Sequence, residues 1–382
     1  FGAAFAALLL LGIVGVLLAS VLPSTSFARK RDCVEQSEGT CTKYGPEEDI
    51  RYAISPADAQ AVEPRLTITG APTYPSDGQI YFVTVRTPEL TVLDWLATRV
   101  NPAAYLASYD DLYATQTPEQ SVQQGRRAMM TAKQSAEYVA LKLAGYDAQL
   151  VAGDILVDRI VCLQPNADGT KCETFAPAGQ VLTQNDKIIE LDGVAVKTVA
   201  DLAPILARHQ PGDSVPMKIE RDKQTMSVEV QVTAAPDGSG RTIIGIFTID
   251  TTSVKLPDDI SVNINTNLIG GPSAGLAFTL TVLDQLTEGS LMGKQRVAVT
   301  GTIDVNGNVG AIGGLPSKAS AVEQTGVKYF LVPASQSATE IAEANKAGNG
   351  RVEIIPVATI SEALAALARL GGDKFTPVRS AG

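Results

Sequence analysis

One short stretch limits what this chain can become: Gly270-Gly271-Pro272-Ser273-Ala274-Gly275-Leu276. Two glycines permit a sharp turn of the backbone. Pro272 suits the first residue of a helix, where its missing N–H costs nothing. From Ala274 to Leu286 the run is apolar on almost every face, through Leu276, Phe278, Leu280, Val282, Leu283 and Leu286, so the helix it predicts is buried. Ser273 then carries a hydroxyl at the N-terminus of a core helix, beside free N–H groups and the positive end of the helix dipole. Two readings fit that position. One is an N-capping serine; the other is a nucleophile with donors in place for an oxyanion.

The chain has a single histidine, His209, in 382 residues. A serine–histidine–carboxylate triad would have to use it, and a histidine-rich metal site cannot be built. His209 lies in Ala207-Arg208-His209-Gln210-Pro211-Gly212, a helix end before a turn, where a cation complements the dipole. No metal or cofactor is expected. The net charge of -10 and the lack of a basic, aromatic stripe exclude nucleic acid as a partner. The length permits two or three domains.

The four cysteines fall as two local pairs, Cys33/Cys41 and Cys162/Cys172, each flanking a polar, turn-forming stretch. Of the three possible pairings, the local one staples two short loops. The alternative is one metal site with four thiolates, but neither pair has the spacing of a zinc knuckle. Disulfides are expected, and with them an oxidising, extracytoplasmic setting.

Residues 1 to 22 carry no charge and Pro23 closes the run. The expectation is a transmembrane anchor over 1–23, with a cleaved signal peptide ending near Ser26-Phe27-Ala28 as the alternative. Arg29-Lys30-Arg31 follow the run and by themselves favour a cytoplasmic C-terminal side. The cysteines argue the reverse, and since the chain begins at Phe1 rather than Met, further basic residues are expected ahead of it. Residues 32–130 read as a β-rich juxtamembrane region. It holds strands at 68–70 and 79–85, an amphipathic helix over 90–100 around Trp95, and a polar, flexible excursion over 105–124. Residues 131–235 form a compact unit with helices at 134–143 and 198–209 and strands at 153–163, 187–191, 214–221 and 226–232. Residues 240–371 alternate strand and helix. Strands are expected at 243–247, 261–265, 296–303, 309–312, 329–332 and 352–355, and helices open at Pro272, at Pro316 and near residues 338 and 361. Residues 372–382 read as a loose tail.

With histidine unavailable, a serine nucleophile needs another base. Lys318 sits between the Gly313-Gly314 turn and an Ala-rich helix. An ordinary lysine near 10.4 is neutral in only about one molecule in 2,500 at pH 7. Apolar surroundings and the first turn of a helix both disfavour its charge. A solvated helix lysine is the other reading of that position.

Several phrases resemble known families. Ala176-Pro177-Ala178-Gly179, Asn185-Asp186-Lys187-Ile188-Ile189 and Leu191-Asp192-Gly193-Val194-Ala195-Val196 resemble a PDZ domain, with Asn185-Asp186 standing where Gly-Asp is usual. That implies binding of extended or C-terminal peptide segments by strand addition. Gly271-Pro272-Ser273-Ala274-Gly275, Val299-Thr300-Gly301-Thr302-Ile303 and Val309-Gly310-Ala311-Ile312-Gly313-Gly314-Leu315-Pro316-Ser317-Lys318 resemble the proteolytic domain of Lon proteases. The resemblance implies a ribosomal-S5-like α/β fold. It also implies Ser273 as nucleophile, Lys318, 45 residues on, as its general base, and Thr300 as the lysine's hydrogen-bond partner. Two positions depart from the ATP-dependent members: Gly270 replaces a carboxylate and Thr302 a glutamate. No Gly-x-x-x-x-Gly-Lys-Ser/Thr phosphate loop occurs in these residues. With Gly70-Ala71-Pro72-Thr73-Tyr74-Pro75-Ser76-Asp77-Gly78, the layout resembles bacterial membrane-anchored, PDZ-containing Lon-like serine proteases.

The fold expected is α+β and multidomain: an anchor, a β-rich region, a PDZ-like domain and a Lon-type domain. The function expected is ATP-independent serine endopeptidase action on flexible or misfolded extracytoplasmic segments, by a single-pass membrane protein. The resemblance adds a homohexamer as the expected assembly. A non-catalytic PDZ adaptor is the alternative, and acyl transfer to an acceptor other than water is a third reading.

Overall fold

The computed structural model describes residues 2–37, 40–99, 101, 103–113, 117–165, 172–235 and 240–375. They group into two units, one of residues 1–114, 122–147 and 256–382, the other of residues 115–121 and 148–255.

The first unit is built on a seven-stranded sheet. Strand Arg296–Val299 lies at its centre and runs parallel to Gln79–Arg86 on one side and to Tyr329–Pro333 on the other, with Val297 opposite both Ile80 and Tyr329. Glu353–Val357 extends the parallel half, and Thr40–Ala61, Arg29–Ser37 and Tyr105–Ser108 form the antiparallel half. Parallel neighbours need a crossover, here supplied by helices Leu315–Thr325 and Ala338–Ala347. The central strands are covered on both faces, so Val297, Ala298, Val299, Phe330, Leu331 and Val332 are fully buried. Helix Gly275–Gln285 buries ten of its residues, and Phe278 meets Phe82 edge-on at 5.8 Å between ring centroids. Each fully buried side chain of this size stabilises the fold by roughly 1.5–3 kcal/mol.

The Gly70–Gly78 phrase has a structural job: the Tyr74 N–H caps the Gln285 carbonyl at the far end of the buried helix, and the Ser76 and Ser290 hydroxyls meet at 3.0 Å. Antiparallel pairing of Ser261–Ile264 with Leu66–Thr69 fixes the chain just before Gly270.

The second unit carries a six-stranded sheet in the order Gln224–Gln231, Ser214–Arg221, Lys187–Leu191, Ile155–Ile160, Ile246–Asp250, with Val194–Ala195 beside Lys187–Leu191. Its core joins Ile155, Val157, Leu182, Ile188, Leu191 and Met217. Buried Asp186 takes two bonds from the Arg221 guanidinium, at 2.7 and 2.6 Å. Asn185 has φ of 70°, the left-handed conformation that suits glycine and that asparagine tolerates. This explains how Asn185-Asp186 serves where Gly-Asp is usual.

Several expectations are corrected. Where a polar, flexible excursion is expected over 105–124, the described residues form strand Tyr105–Ser108, helix Tyr109–Tyr113 and the start of helix Pro118–Leu143, which the sequence places only from residue 134. Residues 131–147 fall in the first unit, not with the PDZ-like residues, and Ile246–Asp250 pairs with Ile155–Ile160 in the second. The strand expected over 296–303 breaks after Val299, and Thr302–Ile303 pairs with Val309–Gly310 instead. The strand expected over 153–163 splits at Val161, and the helix over 198–209 reduces to a 3₁₀ turn and Leu202–Leu206. The tail starts later than residue 372, since Asp373 accepts the Ser290 N–H at 2.9 Å; residues 376–382 lie outside the described residues.

The run expected to span a membrane over 1–23 is helical over Gly2–Ala19. Among the described residues no helix is long and apolar enough to cross a membrane. The side chains of residues 1–8 are outside those described, as are those of Cys33 and Cys41, so that pairing lies outside the described residues. Cys162 and Cys172 are joined by a disulfide.

Candidate active site

Ser273 does not sit at the first helical residue. The helix begins at Gly275 with Ala274 as its N-cap, and Pro272 and Ser273 form the turn before it. No side chain caps this helix, so the Ser273 hydroxyl is not spent on capping. Among the described residues no acceptor is paired with the N–H of Ser273 or of Ala274. Both amides lie where a helix N-terminus attracts negative charge.

The segment after strand Arg296–Val299 holds this turn in place. Gly301 donates its N–H to the Ser273 carbonyl at 2.8 Å and accepts the Leu276 N–H at 3.1 Å. Thr300 Oγ1 donates to the same Ser273 carbonyl at 3.1 Å. Gly301 has φ of 150°, and a Cβ there would meet Val309 at 2.7 Å, so the strand breaks at the residue that does the gripping.

Lys318 comes from a third segment. Gly314, at φ of 70°, turns the chain into helix Leu315–Thr325, and Pro316 stands in its first turn. Ser317 Oγ donates to the carbonyls of Ala103 and Ile54, at 2.6 and 3.2 Å, anchoring that turn to the sheet. Lys318 is consequently 3% exposed. Its Nζ donates to Ser273 Oγ at 3.0 Å and to Thr300 Oγ1 at 3.3 Å. Burial pushes its pKa down from 10.5 to about 7, since taking the ammonium out of water disfavours the charged form. The structure thus brings Ser273, Lys318 and Thr300 together. The arrangement can move a proton between a hydroxyl and an amine that is half neutral near pH 7. Thr302 lies outside this cluster's hydrogen bonds, and among the described residues no group of three or more potential ligands could hold a metal ion. Gly301, quoted in the motif but given no role there, is the residue whose importance only the backbone geometry shows.

In the second unit a groove of about 530 Å³ runs between helix Leu202–Leu206 and the strand Ile246–Asp250. Val199, Leu202, Leu206, Ile244 and Ile246 give it an apolar floor. Ile246–Asp250 ends the sheet order, so its outer edge offers backbone groups to an added strand. His209 lines the same groove and faces Asp192, Nε2 to Oδ2 at 3.2 Å; it belongs to this unit and not to the serine's.

Comparison with known proteins finds two domain families along the chain. Residues 258–369 match the Lon protease (S16) C-terminal proteolytic domain and residues 165–232 the PDZ domain. Lon protease of Neorickettsia sennetsu is 38% identical over 94 residues, which is 25% of this chain and 11% of that protein. Lon protease of Trichlorobacter lovleyi is 37% identical over 105 residues, 28% of this chain and 12% of that protein. The chain therefore spans only about a ninth of the length of the curated relatives it matches. Among solved structures, the PDZ domain of an SdrC-like protein from Listeria monocytogenes is 23% identical, with 26% of this chain and 93% of that chain covered and a TM-score of 0.21. The chain carries a Lon-type proteolytic domain, preceded in sequence by a PDZ domain.

Proposed function

We propose that the protein is a serine endopeptidase in which Ser273 is the nucleophile and Lys318 its general base. The observation that carries this is the contact of a buried amine, Lys318 Nζ, with Ser273 Oγ at 3.0 Å. With the amine neutral, the hydrogen bond reverses and the Ser273 O–H donates to Nζ. Oγ attacks the peptide carbonyl, the proton passes to Lys318, and the tetrahedral oxyanion is held by the N–H groups of Ser273 and Ala274. Lys318 returns the proton to the leaving amine, and an acyl-serine stays until water releases it. Thr300 orients the amine and, with Gly301, the carbonyl of the nucleophile itself.

The PDZ groove presents substrate as an added strand on Ile246–Asp250, with an apolar side chain on the floor of the cavity. No phosphate loop lies in the 382 residues, so the reaction is proposed to run without nucleotide, on flexible or misfolded segments. The Cys162–Cys172 disulfide supports an extracytoplasmic site of action. The uncharged residues 1–22 support attachment to a membrane, a part of the proposal that rests on sequence alone. The test is cleavage of an unfolded protein by the full chain, without reductant or nucleotide, beside its Ser273→Ala counterpart. Cleavage by the parent alone supports the reading; equal cleavage by both defeats it.

A further inference from the structure

Helix Pro118–Leu143 lies outside the matched proteolytic residues, yet it touches the nucleophile's turn. The Gly271 N–H donates to the Gly125 carbonyl at 2.8 Å. A carbonyl inside a helix has a second lone pair free for such a bond. The approach is backbone on backbone. A Cβ placed on Gly270 would lie 3.1 Å from the carbonyl carbon of Gly125 and 3.3 Å from its oxygen, and one placed on Gly125 would lie 3.6 Å from the Gly271 nitrogen. Any side chain at 270 would press on the Gly125 backbone at these distances.

A turn of two glycines has little stiffness of its own, and Gly271 is at φ of 90°. On one side the turn is gripped through the Ser273 carbonyl by Gly301 and Thr300. On the other side the Gly125 carbonyl is the grip. We infer that Gly125 is a positioning residue for hydrolysis at Ser273: docked on Gly270-Gly271, it fixes the turn that aims the hydroxyl at Lys318. This rests on the assignment of Ser273 and Lys318 above. Gly125 touches no substrate and acts through Gly271.

The test uses the full chain in mild detergent, with Gly125→Ala and Gly125→Leu beside the parent. Alanine meets only ordinary contacts at 3.6 Å and keeps the carbonyl in place, so it should retain most of kcat. Leucine adds three carbons beyond a Cβ that already touches the Gly270-Gly271 backbone and should lift the helix. It should lower kcat by about 10- to 100-fold while KM stays within about twofold, the scale of a misplaced reacting group. In the Ser273→Ala background, amide exchange over residues 270–274 should speed up with leucine and not with alanine. Should the leucine variant fold poorly, Gly270→Ala tests the contact from the other face, with the same direction in both readouts. Parental kcat and parental exchange in the leucine variant, or in Gly270→Ala in its place, overturn the inference. So does a rise in kcat, which makes the helix an obstruction, and so does a loss with alanine as large as with leucine. A parent that cleaves no better than Ser273→Ala, with the exchange difference intact, defeats the proposed function and not the contact.

Discussion

Replacing Lys318 by methionine should abolish proteolysis and stabilise the fold at the same time. The side chain is 3% exposed and its pKa falls from 10.5 to about 7 through burial. At 1.36 kcal/mol per pH unit that corresponds to roughly 5 kcal/mol against the ammonium form. Below about pH 7 both the folded and the unfolded chain carry the proton, and the parent bears the whole cost. Between about 7 and 10.5 only the unfolded chain binds it, so the parent's stability rises with pH. Methionine fills a similar volume and does not titrate. Lys318→Met should therefore be more stable than the parent by several kcal/mol at pH 6–7, and that advantage should shrink by about 3 kcal/mol between pH 7 and 9.5. Urea unfolding of the first unit at those pH values, followed by Trp95 fluorescence, reads the difference. An advantage that does not change with pH, or a destabilised variant throughout, would refute the reasoning, because Lys318 would then not be held neutral by burial.

Three further outcomes follow from the geometry. Thr300→Val removes the bonds to Lys318 Nζ and to the Ser273 carbonyl; it should cost about 1–3 kcal/mol in urea unfolding and lower kcat about tenfold, as roughly 1.4 kcal/mol of lost positioning would. Asp186→Asn leaves the partly exposed Arg221 guanidinium without its carboxylate and should destabilise the PDZ unit by about 1.5–3 kcal/mol. In the parent, the Arg221 and Thr183 bonds overcome burial and hold the Asp186 carboxyl below its ordinary value. That stability is present above pH ~4 and lost as the pH falls below it, which circular dichroism of the parent and variant will show. Replacing Cys162 and Cys172 by serine opens a loop of ten-residue separation and should cost about 3 kcal/mol, with the reactivity of Ser273 unchanged.

The candidate cluster of Ser273, Lys318 and Thr300 is legible in the sequence because its residues stand at backbone punctuation. Gly-Gly-Pro before Ser273 and Gly-Gly-Leu-Pro before Lys318 mark turns, and a buried helix follows each. The exact seat of Ser273 was not, since a Pro at position 272 fits a first helical residue and a turn equally well. Only the part of helix Pro118–Leu143 from residue 134 on is legible, because Val139 and Leu141 lie there with Ala136 and Ala140, whereas the stretch before it buries only Met129 and Ala132, too few to raise a hydrophobic period. Thr40–Ala61 reads poorly as a strand because Pro56 interrupts it; the structure absorbs the interruption as a register shift against Gln79–Arg86. Local pattern groups Ile246–Asp250 with its neighbours in sequence, whereas its partner, Ile155–Ile160, lies some ninety residues earlier, a separation that local pattern cannot convey.

The central claim is that a neutral Lys318 activates Ser273. Its most direct test is the rate at which a fluorophosphonate labels Ser273 from pH 5 to pH 9, followed by intact mass. The account predicts a rate that climbs with pH through a midpoint near 7, where burial places the amine, and that loses both its height and its midpoint in Lys318→Met. Labelling of the methionine variant at the parent's rate, with the parent's pH profile, would contradict it.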